Sequence, residues 1–277
     1  MKKIKSIAII LDYHRYGIGF KTKLGLFLLS CIQLSLVPLY YLDRHLHSVF
    51  LNRIASLFLK DAQVNIEGRL FVIGSASDLF ILLSESKFIS YFKKGDGVFL
   101  DIGGHIGKYA ITFADYFKRV LVFEPELRNF ERLEKNITLN HLGKKIFALQ
   151  RAAYHVDNKK LALHLGKYNL GGHTLLNVPD SLLYSGTEVI TTVTVDTAVQ
   201  DAGITFSDVG FIKIDVEGAE IFVLEGMRHI LDQRRAKLIV EIWDWNQESF
   251  SEVQSLLDGY GYVIERIDKD NIFAFPR

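Results

Sequence analysis

The chain of 277 residues carries a formal net charge of +1 and is 49% hydrophobic, so it can bury a large core and holds no field that would steer it onto nucleic acid. Its single cysteine, Cys31, excludes an internal disulfide, and four prolines without a Gly/Ser-rich tract argue against a long disordered linker.

From Leu24 to Leu42 no residue is charged, a run just long enough to cross a bilayer. It follows a basic leader of Lys2, Lys3, Lys5, Arg15, Lys21 and Lys23. Ser30, Gln33, Ser35 and Pro38 interrupt it, and a span with that charge bias would export everything after residue 42. The preferred reading is therefore a helix packed on the main domain or lying in a membrane interface, in a cytoplasmic protein. Apolar positions at Val49, Leu51, Ile54, Leu57 and Phe58 predict a further helix, and turn-punctuated runs at Val64–Ile66 and Leu70–Ile73 predict a small β element. Ser77 and Asp78 ahead of an apolar run mark a helix start. Residues 1–60 thus read as a helical extension, 61–92 as a lead-in, and 93–277 as the main domain.

From Lys93 apolar strands alternate with amphipathic helices. Strands are expected at Val98–Ile102, Val120–Phe123, Ile146–Gln150, Phe211–Ile214, Leu238–Ile242, Tyr262–Ile267 and Ile272–Phe275. Helices fit Lys108–Phe117, Arg128–Asn140, Ala219–Leu231 and Glu248–Asp258. Such alternation implies a mainly parallel α/β sheet with helices on both faces, binding at the C-terminal strand ends. Lys160–Thr194 breaks the rhythm with short β-like runs and a Gly171–Gly172 turn, and reads as an insertion beside the pocket.

Three constellations carry chemistry. The stretch VFLDIGGHIG, Val98 to Gly107, is a buried strand ending in Asp101 and breaking into Gly103, Gly104 and Gly107 ahead of a helix. Such a turn lets a ligand approach the backbone and the helix N-terminus. His105 stands where the dinucleotide fingerprint has its second glycine, which lowers that reading. Asp101 can meet a cationic ligand group, directly or through water. Next, VLVFEP ends in Glu124, whose carboxylate can accept both hydroxyls of a ribose. The plainer alternative makes Asp101 and Glu124 helix caps only. The third, Phe211 to Met227, crowds Lys213, Asp215, Glu217 and Glu220 around a strand end. Lys213 and Asp215 share one side of the strand by alternation, and opposite charges buried there are expected to pair. Capping of the following helix is the alternative role for Asp215 and Glu217.

DIGGHIG, VFEP with LEKNITLN after it, VTVDTAV and KIDVEGAEIFVLEGM resemble the successive motifs of the FkbM family of S-adenosylmethionine-dependent methyltransferases, over about Gly95 to Ile242. The resemblance implies a Rossmann-like seven-stranded class I methyltransferase sheet and methyl transfer, typically to a hydroxyl oxygen. It implies that Asp101, Gly103 and Gly107 line the methionine end of S-adenosyl-L-methionine, that Glu124 holds the ribose, and that Gly104 and His105, where the family often has Ala or Asn, are cofactor-binding as well. The first 60 residues lie outside it.

A sulfonium methyl is already activated, so the enzyme must chiefly align a nucleophile, and a hydroxyl nucleophile gains from a general base. The candidates are Asp215, first because its strand end points at the pocket, then Glu217, His173 in the insertion, and Glu241. Trp243 and Trp245 can wall a substrate cleft. No His/Cys/Asp spacing reads as a metal site. The acceptor is expected to be a small molecule or glycan and not nucleic acid, with a membrane surface as a further partner through residues 24–42. A nicotinamide oxidoreductase and a non-enzymatic membrane-associated binding protein are the competing readings. Asn136-Ile-Thr138 matches a glycosylation sequon but falls inside an expected helix and is read as chance.

Overall fold

The computed structural model describes residues 12–36, 59, 61–83, 86–95, 97–166, 172–175, 184–242 and 247–277. The helix expected around Val49–Phe58, the end of the Leu24–Leu42 run, Gly171, Trp243 and Trp245 lie outside them. The chain divides into two compact units, Met1–Ile89 with Tyr168–Leu170, and Ser90–Lys167 with Gly171–Arg277.

The first unit holds α1 (Tyr13–Tyr16), α2 (Gly19–Ser35), β1 (Ala62–Ile66), β2 (Arg69–Ile73) and α3 (Ala76–Leu83). β1 and β2 form the expected antiparallel hairpin, turning at Glu67 and Gly68, both with positive φ. The segment before α2 docks on β1, with Gly17 bridging Val64 and the Ile18 N–H donating to Gln63 O at 2.9 Å. Helix α2 starts earlier than the uncharged run and absorbs its polar residues by back-bonding: Ser30 Oγ donates to Leu26 O and Ser35 Oγ to Ile32 O. Among the described residues no helix is long and apolar enough to cross a membrane. A reciprocal cap starts α3, where Asp78 Oδ2 accepts from the Gly74 and Ser75 N–H groups and Ser75 Oγ accepts from the Asp78 N–H.

The second unit runs β3 (Val98–Ile102), α4 (Lys108–Thr112), β4 (Arg119–Phe123), α5 (Leu127–Leu139), β5 (Ile146–Leu149), β6 (Ala152–Ala153), β7 (Lys160–Gly166), β8 (Tyr184–Val193), α6 (Val195–Asp201), β9 (Val209–Ile214), α7 (Glu220–Glu225), α8 (Arg228–Asp232), β10 (Lys237–Glu241), α9 (Gln247–Gly259), β11 (Tyr262–Arg266) and β12 (Asn271–Pro276). Seven of these strands make one sheet in the order β11-β12-β10-β9-β3-β4-β5. All neighbours are parallel except β12, which is antiparallel to β10 and β11. This is the Rossmann-like α/β sheet predicted from the alternation, and its strand order reverses between β3 and β9. The insertion supplies β7 and β8, which with β6 ahead of it make a three-stranded sheet in the order β6-β8-β7.

Alternation sorts the central strands into two faces. Val98, Leu100, Ile102, Ile212 and Ile214 face the larger core with Val223, Leu224, Leu238 and Val240. Phe99 and Phe211 face the other way, into an aromatic cluster with Phe92, Phe113 and Phe117, in which the Phe92 and Phe113 rings stack with centroids 3.9 Å apart. Each such buried ring contributes roughly 2–3 kcal/mol by apolar transfer.

Three elements differ from the sequence expectation. The helix predicted over Lys108–Phe117 stops at Thr112 and continues as a 3-10 turn, Ala114–Tyr116. The helix predicted over Ala219–Leu231 breaks into α7 and α8 at Gly226, where a Cβ would lie 2.1 Å from Tyr154 O; the close approach of that strand exit stops a continuous helix. Helix α6 is a short addition, capped by Thr194, whose hydroxyl accepts from the Thr197 N–H.

Candidate active site

The site is built where β3, β4, β9 and β10 end, on the Phe99 side of the sheet. After Ile102 the chain folds back over β4: the Gly103 and Gly104 N–H groups both donate to Phe123 O, at 2.9 and 3.0 Å, and the Asp215 N–H donates to Ile102 O at 2.9 Å. Gly103 has φ +85°, and a Cβ there would lie 1.8 Å from Asp215 O; a Cβ on Gly104 would lie 2.1 Å from Val122 Cγ1. No side chain fits either position, which is why the turn is glycine. His105 takes φ +49°, the left-handed conformation a glycine would adopt freely. Its N–H donates to Glu124 Oε2 at 2.8 Å, an anchor that offsets the strain. Gly107, also at positive φ, opens α4.

Two buried carboxylates flank this turn. Asp101 Oδ2 accepts from the Ala110 N–H at 3.0 Å, while Oδ1 is buried with no hydrogen-bond partner. Burial raises its pKa to about 6, against the pull of the Lys213 charge. Glu124 holds the loop from the other side, accepting from His105 N–H and, through Oε1, from Glu126 N–H at 3.0 Å. Its burial raises its pKa to about 8. Through Ala110, Asp101 satisfies a first-turn N–H of α4 from outside the N-cap position, which Gly107 holds, whereas Glu124 does not cap α5: Glu126 does so, accepting from the Asn129 N–H at 2.6 Å. Asn136, the sequon residue, is fully buried and donates Nδ2–H to Ile106 O at 2.9 Å, so it ties α5 to the glycine turn.

On β9 the expected pair forms, with Lys213 Nζ 2.7 Å from Asp215 Oδ2. Lys213 is buried and its ammonium lies over the Tyr109 ring, 4.7 Å from the centroid. Burial alone would lower its pKa; Asp215, Asp101 and Glu241 together hold it above the ordinary lysine value. Beyond the strand, Glu217 takes φ +54°. Its burial, then the charges of Asp215, Glu241 and Glu220, raise its pKa to about 9, so it keeps its proton at neutral pH. Glu220 Oε1 accepts from the Gly218 N–H at 2.8 Å, and burial raises its pKa to about 7. The N-cap position of α7 is Ala219, without a side-chain cap, so neither Asp215 nor Glu217 fills that role.

The insertion closes over these groups. His173 Nδ1 accepts from the Gly166 N–H at 2.9 Å, which puts the ring proton of the neutral form on Nε2. Burial lowers its pKa to about 4, and it senses Glu126 and His105 electrostatically. Thr174 Oγ1 donates to Glu217 O at 2.6 Å.

The titratable candidates expected from sequence therefore fall in two groups: Asp101, Asp215, Glu217 and Glu241 around Lys213, and Glu124, His105 and His173 beside Glu126. Glu126, Tyr109 and Thr174 are additions. Glu126 carries a readable cap signal ahead of an amphipathic run; Thr174 has no local pattern at all. Among the described residues no group of three or more His, Cys, Asp or Glu side chains is arranged to hold a metal ion.

A parallel sheet in this order, its antiparallel β12 inserted next to the edge, with a glycine turn and carboxylates at the β3 and β4 ends, defines a class I methyltransferase fold. The profile of the methyltransferase FkbM domain matches residues 101–264, well over half of the chain. The protein belongs to the FkbM methyltransferase family. Solved structures similar to it include methyltransferase FkbM from Methylobacillus flagellatus KT, with 15% identity and a TM-score of 0.47 over 98% of this chain and 59% of that one. M. jannaschii TYW2 in complex with AdoMet shares 13% identity, TM-score 0.40, over 78% of this chain and 84% of that one. An rRNA methylase from Streptococcus thermophilus shares 11%, TM-score 0.40, over 68% and 89%. The chain thus spans about three fifths of the length of the FkbM structure. No curated protein sequence matches it significantly.

Proposed function

We propose that residues 93–277 form a methyltransferase domain that binds S-adenosyl-L-methionine at the glycine turn and methylates a hydroxyl oxygen of a small molecule or glycan, with 61–92 as a lead-in and 1–60 as a helical extension. The observation that carries the cofactor assignment is Asp101 Oδ1, a buried carboxylate oxygen with no partner beside a turn that admits no side chain. Such an atom calls for a donor, and a ligand ammonium supplies a charge-assisted one. The residues fit the group: Asp101 would receive the amino group, Gly103, Gly104, His105 and Gly107 would line the methionine end, and Glu124 would accept ribose hydroxyls with the lone pairs left after binding His105 and Glu126. Membership in a methyltransferase family argues against the nicotinamide alternative, and the chain's near-neutral charge favours a small acceptor over nucleic acid.

When bound, the cofactor supplies a methyl group already activated by its sulfonium, so the protein's work is alignment and proton removal. Asp215 is the base this reading favours. Lys213 fixes its carboxylate by an ion pair, whereas Glu217 holds its own proton at neutral pH and is a donor. His173, with its proton on Nε2, is likewise a donor toward the acceptor and not a base. Glu241 adds negative charge behind Lys213 and keeps the ammonium in place.

Isothermal titration of the purified chain with S-adenosylhomocysteine, with NAD as the competitor, tests the cofactor. Micromolar binding of the former alone is expected; binding of NAD alone overturns the reading. Incubation with labelled cofactor and a panel of hydroxylated acceptors tests the rest, since the new methyl must appear on oxygen in the product spectrum.

A further inference from the structure

Helix α2 is apolar on two opposite sides, one of them buried and the other exposed, where the His14 ring meets Phe27 edge-on. Leu26 and Leu29 are fully buried, with Gly25 and Ser30 beside them. On the other side Phe20 is 81% exposed, Phe27 51%, Leu24 45% and Leu28 37%, and Cys31 is exposed as well. At about 100° of rotation per residue, positions 20, 24, 27, 28 and 31 fall within one arc of about 100°. This is a continuous stripe of large side chains in contact with water, a feature that marks an interaction surface and not ordinary scatter.

The charges beside it identify the occupant. Lys21 and Lys23 are both exposed and, on the same helical wheel, border the stripe on its two sides. The helix contains no acidic residue, and the chain through residue 23 has six Lys or Arg against the single acid Asp12, which pairs with Arg15 at 3.2 Å. An apolar stripe edged by cations on flexible stems matches the boundary between lipid tails and anionic headgroups, where rings and leucines enter the hydrocarbon and the ammonium groups snorkel to the phosphates. With its opposite side fixed on its own unit, the helix can lie in such a surface without crossing it.

We infer that α2 docks the protein on an anionic lipid surface through Phe20, Leu24, Phe27 and Leu28, with Lys21 and Lys23 meeting the headgroups. Acceptors embedded in or bound to that surface would thereby be presented to the enzyme at raised local concentration. The inference stands independently of the methyl-transfer assignment.

Sedimentation of the full chain with vesicles tests it. Vesicles of phosphatidylcholine containing one third phosphatidylglycerol should pellet the protein, those of phosphatidylcholine alone should pellet much less, and added salt should weaken the binding. The triple variant Phe20→Ser/Leu24→Ser/Phe27→Ser, checked for an unchanged far-ultraviolet spectrum and melting temperature, should lose about tenfold or more in partitioning. Lys21→Ala/Lys23→Ala should erase the preference for the anionic vesicles. Failure of the wild-type chain to pellet, or equal pelleting by the triple variant, overturns the assignment. So does light scattering that shows a dimer of the wild-type chain dissolved by the triple substitution, which would make a second copy the occupant.

Discussion

Asp101 on β3 and Lys213 on β9 are register partners across the point where the strand order reverses, and both are buried. The ammonium is committed to Asp215 by a 2.7 Å ion pair, so Asp101 sits beside a cation it does not own and keeps one oxygen unpartnered. The ladder thus delivers one fixed cation and two carboxylates to the same face of the sheet. That asymmetry separates the two carboxylates: Asp215 is held by the ion pair, and Asp101 keeps Oδ1 without a hydrogen bond.

Replacing Lys213 should be among the most damaging single changes in the domain. Lys213→Met leaves Asp215 and Asp101 without the cation that offsets their burial, a loss expected to cost about 3–5 kcal/mol of stability. Urea denaturation followed by circular dichroism measures it. The double variant Lys213→Met/Asp215→Asn should recover part of the loss, because the stranded charge is removed as well; no recovery would mean that the ion pair is not what the lysine supports.

Asp101→Asn should lower S-adenosylhomocysteine affinity by about 10–100-fold, the loss of one charge-assisted hydrogen bond, with little change in melting temperature. Glu124→Gln differs, because both its oxygens hold backbone N–H groups, of His105 and Glu126, where Asp101 holds only that of Ala110, through one oxygen that an asparagine amide oxygen can replace. It should weaken binding and also destabilise the fold by about 1–3 kcal/mol. Calorimetric titration and thermal melts on both variants check the contrast, and identical behaviour would erase the distinction drawn between them.

Much of this was readable from residues, and the exceptions have a physical cause. Asp101, Glu124, Lys213 and Asp215 end apolar runs, so a period-two pattern alone sets their face and their depth. The Lys213–Asp215 pair follows from charge in an apolar strand. Thr174 and His173 meet the site through tertiary contacts of an inserted sheet, Thr174 reaching a residue 43 positions away, and no local periodicity encodes that. The break at Gly226 is likewise set by Tyr154, a distant backbone.

The glycine turn can be tested by steric rescue. Gly104→Ala would drive a methyl into Val122 Cγ1, an overpacking expected to cost about 1–3 kcal/mol and to shift the turn that Asp101 adjoins. Val122→Ala removes the obstructing methyl groups, so Gly104→Ala/Val122→Ala should bind S-adenosylhomocysteine better than Gly104→Ala alone. A double variant as weak as the single one would locate the defect in the backbone and not in that contact.

Stability of the ligand-free protein should fall as pH rises from about 4.5 to about 9. Glu124 and Glu217 have pKa values raised from the ordinary 4.5 to about 8 and about 9, so between those limits the folded state holds protons that the unfolded chain has released. Folding therefore loses free energy as pH climbs through that window. His173 acts oppositely and lower: with its pKa brought from 6.5 to about 4, it adds stability as pH rises between those values. Since the carboxyls outnumber this one histidine, a melting-temperature maximum near pH 4.5 to 5 is expected, with Glu217→Gln flattening the alkaline side by about 2–4 °C. An alkaline limb unchanged in the variant would deny Glu217 its buried proton.

Thr174 ties the insertion to the segment after β9. Its hydroxyl donates to the backbone oxygen of Glu217, a residue held at φ +54°, where a β-carbon is disfavoured and some tertiary contact must pin the chain. Thr174→Val keeps the shape of the side chain and removes the donor, leaving the Glu217 carbonyl without it; Thr174→Ser keeps the donor. On the proposed methyl transfer, Thr174→Val should reduce kcat by about tenfold through misplacement of the Glu217 and Asp215 carboxyls, while S-adenosylhomocysteine affinity stays within about twofold. Thr174→Ser should restore kcat. A merely structural threonine would lower melting temperature and leave the kcat of the folded fraction intact in both variants, and that result would return Thr174 to packing alone.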